Sequence, residues 1–187
     1  MQSNNSISHK IFKTLSIKVM IIAVVIFILF MIFVLPAASR YTDTISGTTT
    51  SPDTSIIYTA DDIYKMADLY GQEGRDSYIF MRFTFDLVWP CVYLFFMTAI
   101  MANLLKGFKE RSWQRNLIWL PFLGVMFDFL ENIFAVIVFA RFPNKTPIIA
   151  GLTPIWTLVK WTVLGASFFI IVVLIVCFFI RRIKNKA

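Results

Sequence analysis

Charge is what this sequence lacks most. Only 16% of its 187 residues are Asp, Glu, Lys or Arg, while 58% are apolar and the mean hydropathy is +0.71. A soluble domain is about half apolar and about a quarter charged. This chain has too little polar surface to clothe a globule in water, and it reads as a membrane protein forming one domain over residues 1–187. Cysteine is also scarce. Cys91 and Cys177 both fall in apolar runs and are expected at opposite membrane depths, which excludes a disulfide framework. Histidine is limited to His9 in the polar N-terminal segment, so the residues for a zinc or haem site are missing and no metal or cofactor is expected. No phosphate-binding glycine loop and no nucleophile elbow occurs either.

What the chain does have is long apolar runs. Four of them, about residues 19–35, 83–105, 117–140 and 155–180, are each near the roughly 20 residues that cross a bilayer as a helix. The fold expected is all-α, a four-transmembrane-helix bundle. The first run follows Lys10, Lys13 and Lys18, but it exceeds a usual signal-peptide core and ends in a poor cleavage site, so it reads as a retained anchor.

The net charge of +7 sits in short clusters beside these runs, which is the positive-inside pattern and excludes the need for a nucleic-acid partner. Lys10, Lys13 and Lys18, then Lys106, Lys109, Arg111 and Arg115, then Arg181, Arg182, Lys184 and Lys186 fall on one side, accompanied by the single acid Glu110. The segment 40–82 on the other side holds four basic and seven acidic residues. The expected orientation is N-in and C-in, in the cell inner (plasma) membrane, with both termini cytoplasmic.

The outer loop, about residues 37–81, divides in two. Its first part is Ser/Thr-rich with Gly47 and Pro52 and is expected to be flexible or extended. Its second part predicts a short extracytoplasmic helix: Thr59 and Asp62 match a capping box, Ile63, Met66, Ala67 and Tyr70 form an apolar stripe, and Gly71 supplies a stop. Gly71 and Gly74 bracket a turn, after which one long helix is expected to enter the second span. In that span Arg82 and Asp86 are four apart and expected to pair at the membrane edge. Pro90 lacks the N–H that would reach the Asp86 carbonyl, so a helix kink is expected there. Trp113, Trp119, Trp156 and Trp161 are expected in interfacial belts.

YGQEGRDSY, FDLVWPCVY and FDFLEN, between about residues 58 and 132, resemble blocks of a group of small four-span bacterial membrane proteins. No activity is established for that group, so the resemblance implies topology and bacterial origin but no chemistry.

The candidate site comes from acids where none should be. A charge at a helix centre costs about 2.5–3.5 kcal/mol, yet Asp128 and Glu131 lie in the third run, Lys160 in the fourth and Asp86 in the second. Helical spacing puts Gly124, Asp128, Glu131 and Ala135 on one stripe with Asn132 beside it, Thr157, Lys160 and Ser167 on one face, and Asp86, Trp89 and Tyr93 on another. These groups are expected to meet inside the bundle, with Lys160 paired to Glu131 or Asp128. Asp128, Glu131, Asn132, Lys160, Asp86 and Tyr93 are the ligand-binding or proton-carrying candidates. The cluster reads as a helix-packing clasp and a site for a lipid-like or amine small molecule. Alternatives are a proton- or ion-coupled transport component and a membrane enzyme using acid/base chemistry on a hydrophobic substrate. The reading leans away from an enzyme because no nucleophile accompanies a base. Partners admitted by the pattern are the lipid bilayer, a hydrophobic small molecule, and a second copy or another membrane protein.

Overall fold

The computed structural model describes residues 3–53, 55–110 and 112–184, with side chains from His9 onward. Thr54 of the Ser/Thr-rich segment, and Arg111 and Lys186 of the basic clusters, lie outside the described residues. Every regular element among those described is helical, and four stretches are long and apolar enough to cross a membrane: Ile17–Ser46, Gly71–Leu105, Trp113–Arg141 and Pro147–Lys184.

A short α1 (Ser3–Thr14) precedes the first span. Ser16 caps α2 (Ile17–Leu29) by accepting from the Val19 N–H at 3.4 Å. The helix passes through a π turn, Phe30–Val34, into α3 (Leu35–Ser46) and stops at Gly47, whose φ of 67° is the left-handed region that suits glycine. This corrects the expected boundary, because the chain stays helical well past residue 37. The reason is local to Pro36. In the π turn the Leu35 N–H reaches back to the Phe30 carbonyl, so Pro36 falls in the first turn of α3, where a missing donor leaves no gap in the ladder.

The described residues of the segment 47–57 carry no helix, and the chain then enters α4 (Ala60–Leu69). There the capping box is complete: Thr59 Oγ1 accepts from the Asp62 N–H, and Asp62 Oδ2 accepts from the Thr59 N–H at 3.0 Å. Gly71, with φ of 62°, turns the chain directly into α5 (Gly71–Phe83). Gly74 therefore does not close a turn but lies within α5, where a Cβ would come within 3.1 Å of the Ser46 Cα. That close approach lets α5 pack on α3.

The second span is two helices rather than one. Thr84, with φ −119° and ψ −80°, separates α5 from α6 (Phe85–Leu105), and its hydroxyl donates to the Phe80 carbonyl at 2.8 Å. α6 runs unbroken through Pro90. A 3-10 turn, Trp113–Trp119, leads into α7 (Leu120–Arg141), which has Pro121 in its first turn, and α8 (Pro147–Lys184) completes the fold. At 38 residues, α8 extends about 57 Å, more than the roughly 30 Å hydrocarbon core, so its ends project beyond it.

α7 and α8 form the tightest pair. A Cβ on Gly124 would come within 2.6 Å of Leu164 Cδ2, which is why glycine stands there. α4 caps this pair, burying Ile63, Met66, Ala67 and Tyr70 against Ala135, Val138, Phe139 and Ala150. The first span packs along the second, with Phe27 stacked on Phe96 at 4.0 Å and near Trp89 at 5.7 Å. Asn103 Nδ2 and Lys106 Nζ of this second span both donate to the Leu15 carbonyl, tying down the α1–α2 junction. Among the described residues no comparable packing joins the first span to α8. Apolar side chains such as Phe33, Phe169 and Val172 face outward, as hydrocarbon solvent requires.

Candidate functional site

The stripe on α7 is buried along its length: Gly124, Asp128, Glu131, Asn132 and Ala135 all face the interior. So do Thr157, Lys160 and Ser167 on α8. Lys160 sits between both acids of α7, 3.3 Å from Asp128 Oδ1 and paired with Glu131 Oε2. One lysine thus serves two carboxylates, where the sequence suggests a choice between them. Tyr93 on α6 donates to Asp128 Oδ2 at 2.7 Å, and Thr157 donates to Glu131 Oε1 at 2.7 Å.

A second cation, Arg82, repeats the pattern above this level. Its Nη1 lies 2.9 Å from Asp86 Oδ2 and donates to Asn132 Oδ1 at 3.0 Å, while its Nη2 pairs with Asp53. The guanidinium also lies 4.3 Å from the ring centre of Tyr78, which is itself stacked on Phe139. Arg82 therefore joins the segment 47–57, the second span and α7. The six candidate residues fall into two adjacent networks, Asp86 and Asn132 on Arg82 and Tyr93, Asp128 and Glu131 on Lys160, with Asn132 and Glu131 successive on α7.

Three participants carry no signal in the sequence. Asp53 lies in the Ser/Thr-rich segment expected to be flexible, yet its carboxylate meets Arg82 and its carbonyl accepts from Trp161 Nε1 at 3.2 Å. Trp161, expected in an interfacial belt, therefore turns its indole N–H to this segment. Tyr58 reaches down from the start of α4 to Thr157, with the hydroxyl oxygens 2.8 Å apart. Burial pushes the Tyr58 hydroxyl above its usual value, and because Thr157 gives its own proton to Glu131, Tyr58 is the donor in this pair. Tyr78 is fully buried, and its hydroxyl has no hydrogen-bond partner among the described residues.

The cluster forms one wall of a cavity of about 560 Å³. Asp53, Arg82, Asp86, Asp128 and Lys160 supply the polar wall, with Tyr93, Trp89 and Trp161 at its edges. The opposite wall comes from the first span and is apolar at Phe27, Met31, Leu35 and Ala38, turning polar at Ser39, Thr42 and Asp43 toward the end of α3. Such a volume lies within the roughly 300–1,000 Å³ of small-molecule pockets, as does the combination of apolar walls with a few convergent polar groups. A second hollow of about 430 Å³ lies between α1 and α6, with Lys10 at its edge and otherwise mostly apolar sides. Among the described residues no three His, Cys, Asp or Glu side chains converge as a metal site would.

No protein-family model, curated protein or solved structure matches this chain.

Proposed function

We propose that this is a small multi-pass membrane protein that binds one hydrophobic or lipid-like small molecule in the cavity beside the α7–α8 cluster. The observation that carries the reading is the position of the ion pairs. Charges serving only as a clasp need no space around them, whereas Asp86, Asp128 and Lys160 line a cavity large enough for a ligand. In this reading the protein is a single membrane domain whose clasp also forms the polar wall of the site. The basic clusters support cytoplasmic termini, with α4 and the segment 47–57 outside, and the family resemblance supports a bacterial inner membrane.

The test is native mass spectrometry of the chain released from lipid nanodiscs. Wild type is expected to retain a small-molecule adduct that Gly165→Phe loses. Gly165 lines the cavity, and a Cβ there meets nothing within 4 Å, so the side chain of the variant starts in open space beside the site. Equal recovery of an adduct in both proteins, or none in wild type, overturns the reading.

A second reading, proton-coupled function, is favoured by one specific feature. Tyr58, Thr157, Glu131, Lys160, Asp128 and Tyr93 form a continuous chain of hydrogen bonds and ion pairs leading from α4 to the cavity. If that chain carries protons, proteoliposomes under a pH gradient acidify in a protein-dependent way, and Thr157→Val, which removes the linking hydroxyl, stops it. Absence of flux between pH 5 and 8 contradicts it.

A further inference from the structure

We propose that the cavity takes a cationic amphiphile, an alkylammonium-type molecule that enters sideways from the bilayer between the first and fourth spans. The inference rests on the reading of the cavity as a binding site and adds the chemistry of the occupant and its route.

Charge bookkeeping comes first. Four carboxylates, Asp43, Asp53, Asp86 and Asp128, line the cavity against two cations, Arg82 and Lys160. Each cation is already shared: Arg82 between Asp53 and Asp86, Lys160 between Asp128 and a fifth carboxylate, Glu131. Each sharing sets two carboxyl groups against one cation in a medium of low dielectric, where an uncompensated charge is strongly unfavourable. The carboxylates that remain reachable are the ones on the cavity wall. Asp53, Asp86 and Asp128 keep 24%, 14% and 10% of their side chains accessible, whereas Glu131 keeps none, and of the three Asp86 and Asp128 are the two that lie within the spans. An incoming ammonium would donate to these two acids and supply the positive charge the cluster lacks.

The apolar part of the ligand follows from the other wall. The first span packs on the second and leaves α8 without comparable contact, and the cavity occupies the space between them. Met31 on the first span, and Gly165 and Phe168 on α8, line the cavity and are also exposed on the outer surface. Residues with both properties mark an opening. Gly165 stands about 27 Å along α8 from Pro147, within the apolar part of the helix, so the opening faces hydrocarbon. A ligand dissolved in the bilayer slides in tail-outward with its ammonium leading to Asp86 and Asp128. The volume of about 560 Å³ suits a drug-sized molecule or a single chain rather than a whole two-chain phospholipid.

The probe is dodecylamine, compared with dodecanol, which has the same chain and no charge. Both are titrated at pH 7 into the full chain in phosphatidylcholine nanodiscs. Trp89 and Trp161 line the cavity, so their fluorescence reports occupancy. Dodecylamine is expected to bind saturably and at least about tenfold more tightly than dodecanol, a difference of about 1.4 kcal/mol. Gly165→Phe is expected to abolish saturable binding of both without altering helix content. Asp86→Asn combined with Asp128→Asn is expected to reduce the amine preference to about one while dodecanol still binds. Should that double variant fail to assemble, the amine-to-alcohol ratio in wild type decides alone. Equal saturable binding of both probes, lost in Gly165→Phe, refutes the cationic preference but leaves the binding cavity standing. No saturable binding of either refutes both.

Discussion

Arg82 and Lys160 hold this structure together by being shared. Each is nearly excluded from solvent and each faces two carboxylates, so removing either strands two acids at once. Arg82→Met is expected to destabilise the protein by about 3–5 kcal/mol, the cost of breaking a buried pair, measured by denaturant unfolding in mixed micelles. Asp62 behaves differently because it is exposed. Hydrogen bonds from Thr59 and then Lys65 hold its carboxyl down at about 2 from the ordinary 3.8. A depressed folded-state value means its contribution is complete above about pH 3.8 and disappears as pH falls toward 2. The difference in unfolding midpoint between wild type and Asp62→Asn is therefore expected to shrink over that interval, and a constant difference contradicts the sign. The acids Asp86, Asp128 and Glu131 were legible in the sequence because a charge inside an apolar run is expensive and must have a reason. Asp53 and Tyr58 were not, since an acid or a tyrosine in a polar loop costs nothing, and only the folded chain brings them to Arg82 and Thr157.

Among the elements, α4 owes its position to two separate causes. The Thr59–Asp62 capping box starts it, and the stripe Ile63, Met66, Ala67 and Tyr70 fixes it on α7 and α8. Thr59→Ala is expected to cost about 1 kcal/mol, read as faster amide exchange confined to α4. The α7–α8 contact depends on Gly124 in a way that Gly165 on the same pair does not. Gly124→Ala forces Leu164 to move and is expected to destabilise by about 1–3 kcal/mol, whereas Gly165→Ala meets open space inside α8 and is expected to stabilise by about 0.5–1 kcal/mol through alanine's higher helix propensity. Thermal unfolding of the two variants separates these cases. The cap and the stripe were visible as spacing. The length of the first helix was not, because Pro36 reads as a terminator unless a π turn precedes it, and a π turn has no simple residue signature. The division at Thr84 was hidden similarly, since Pro90 is the stronger breaker in the sequence while the helix divides six residues earlier.

At the scale of the molecule, two tightly packed helices carry Asp128, Glu131 and Lys160, the second span adds Arg82 and Asp86, a cap covers one end, and the first span stands apart from α8 with a cavity between. The number of spans follows from apolar runs alone. The cavity does not, because it arises from helices that fail to touch, and periodicity reports which faces are apolar but not which pairs remain separate. The claim on which everything else depends is that the ionisable groups of α7 and α8 are turned toward each other in that interior. A double-mutant cycle on Lys160 and Glu131 tests it most directly, using Lys160→Met, Glu131→Gln and the combination. The expected result is that Lys160→Met costs at least about 1 kcal/mol less once Glu131 is neutral, within the coupling of about 0.5–3 kcal/mol seen for residues in contact. Costs that add to within about 0.5 kcal/mol, as for distant independent sites, would contradict the account.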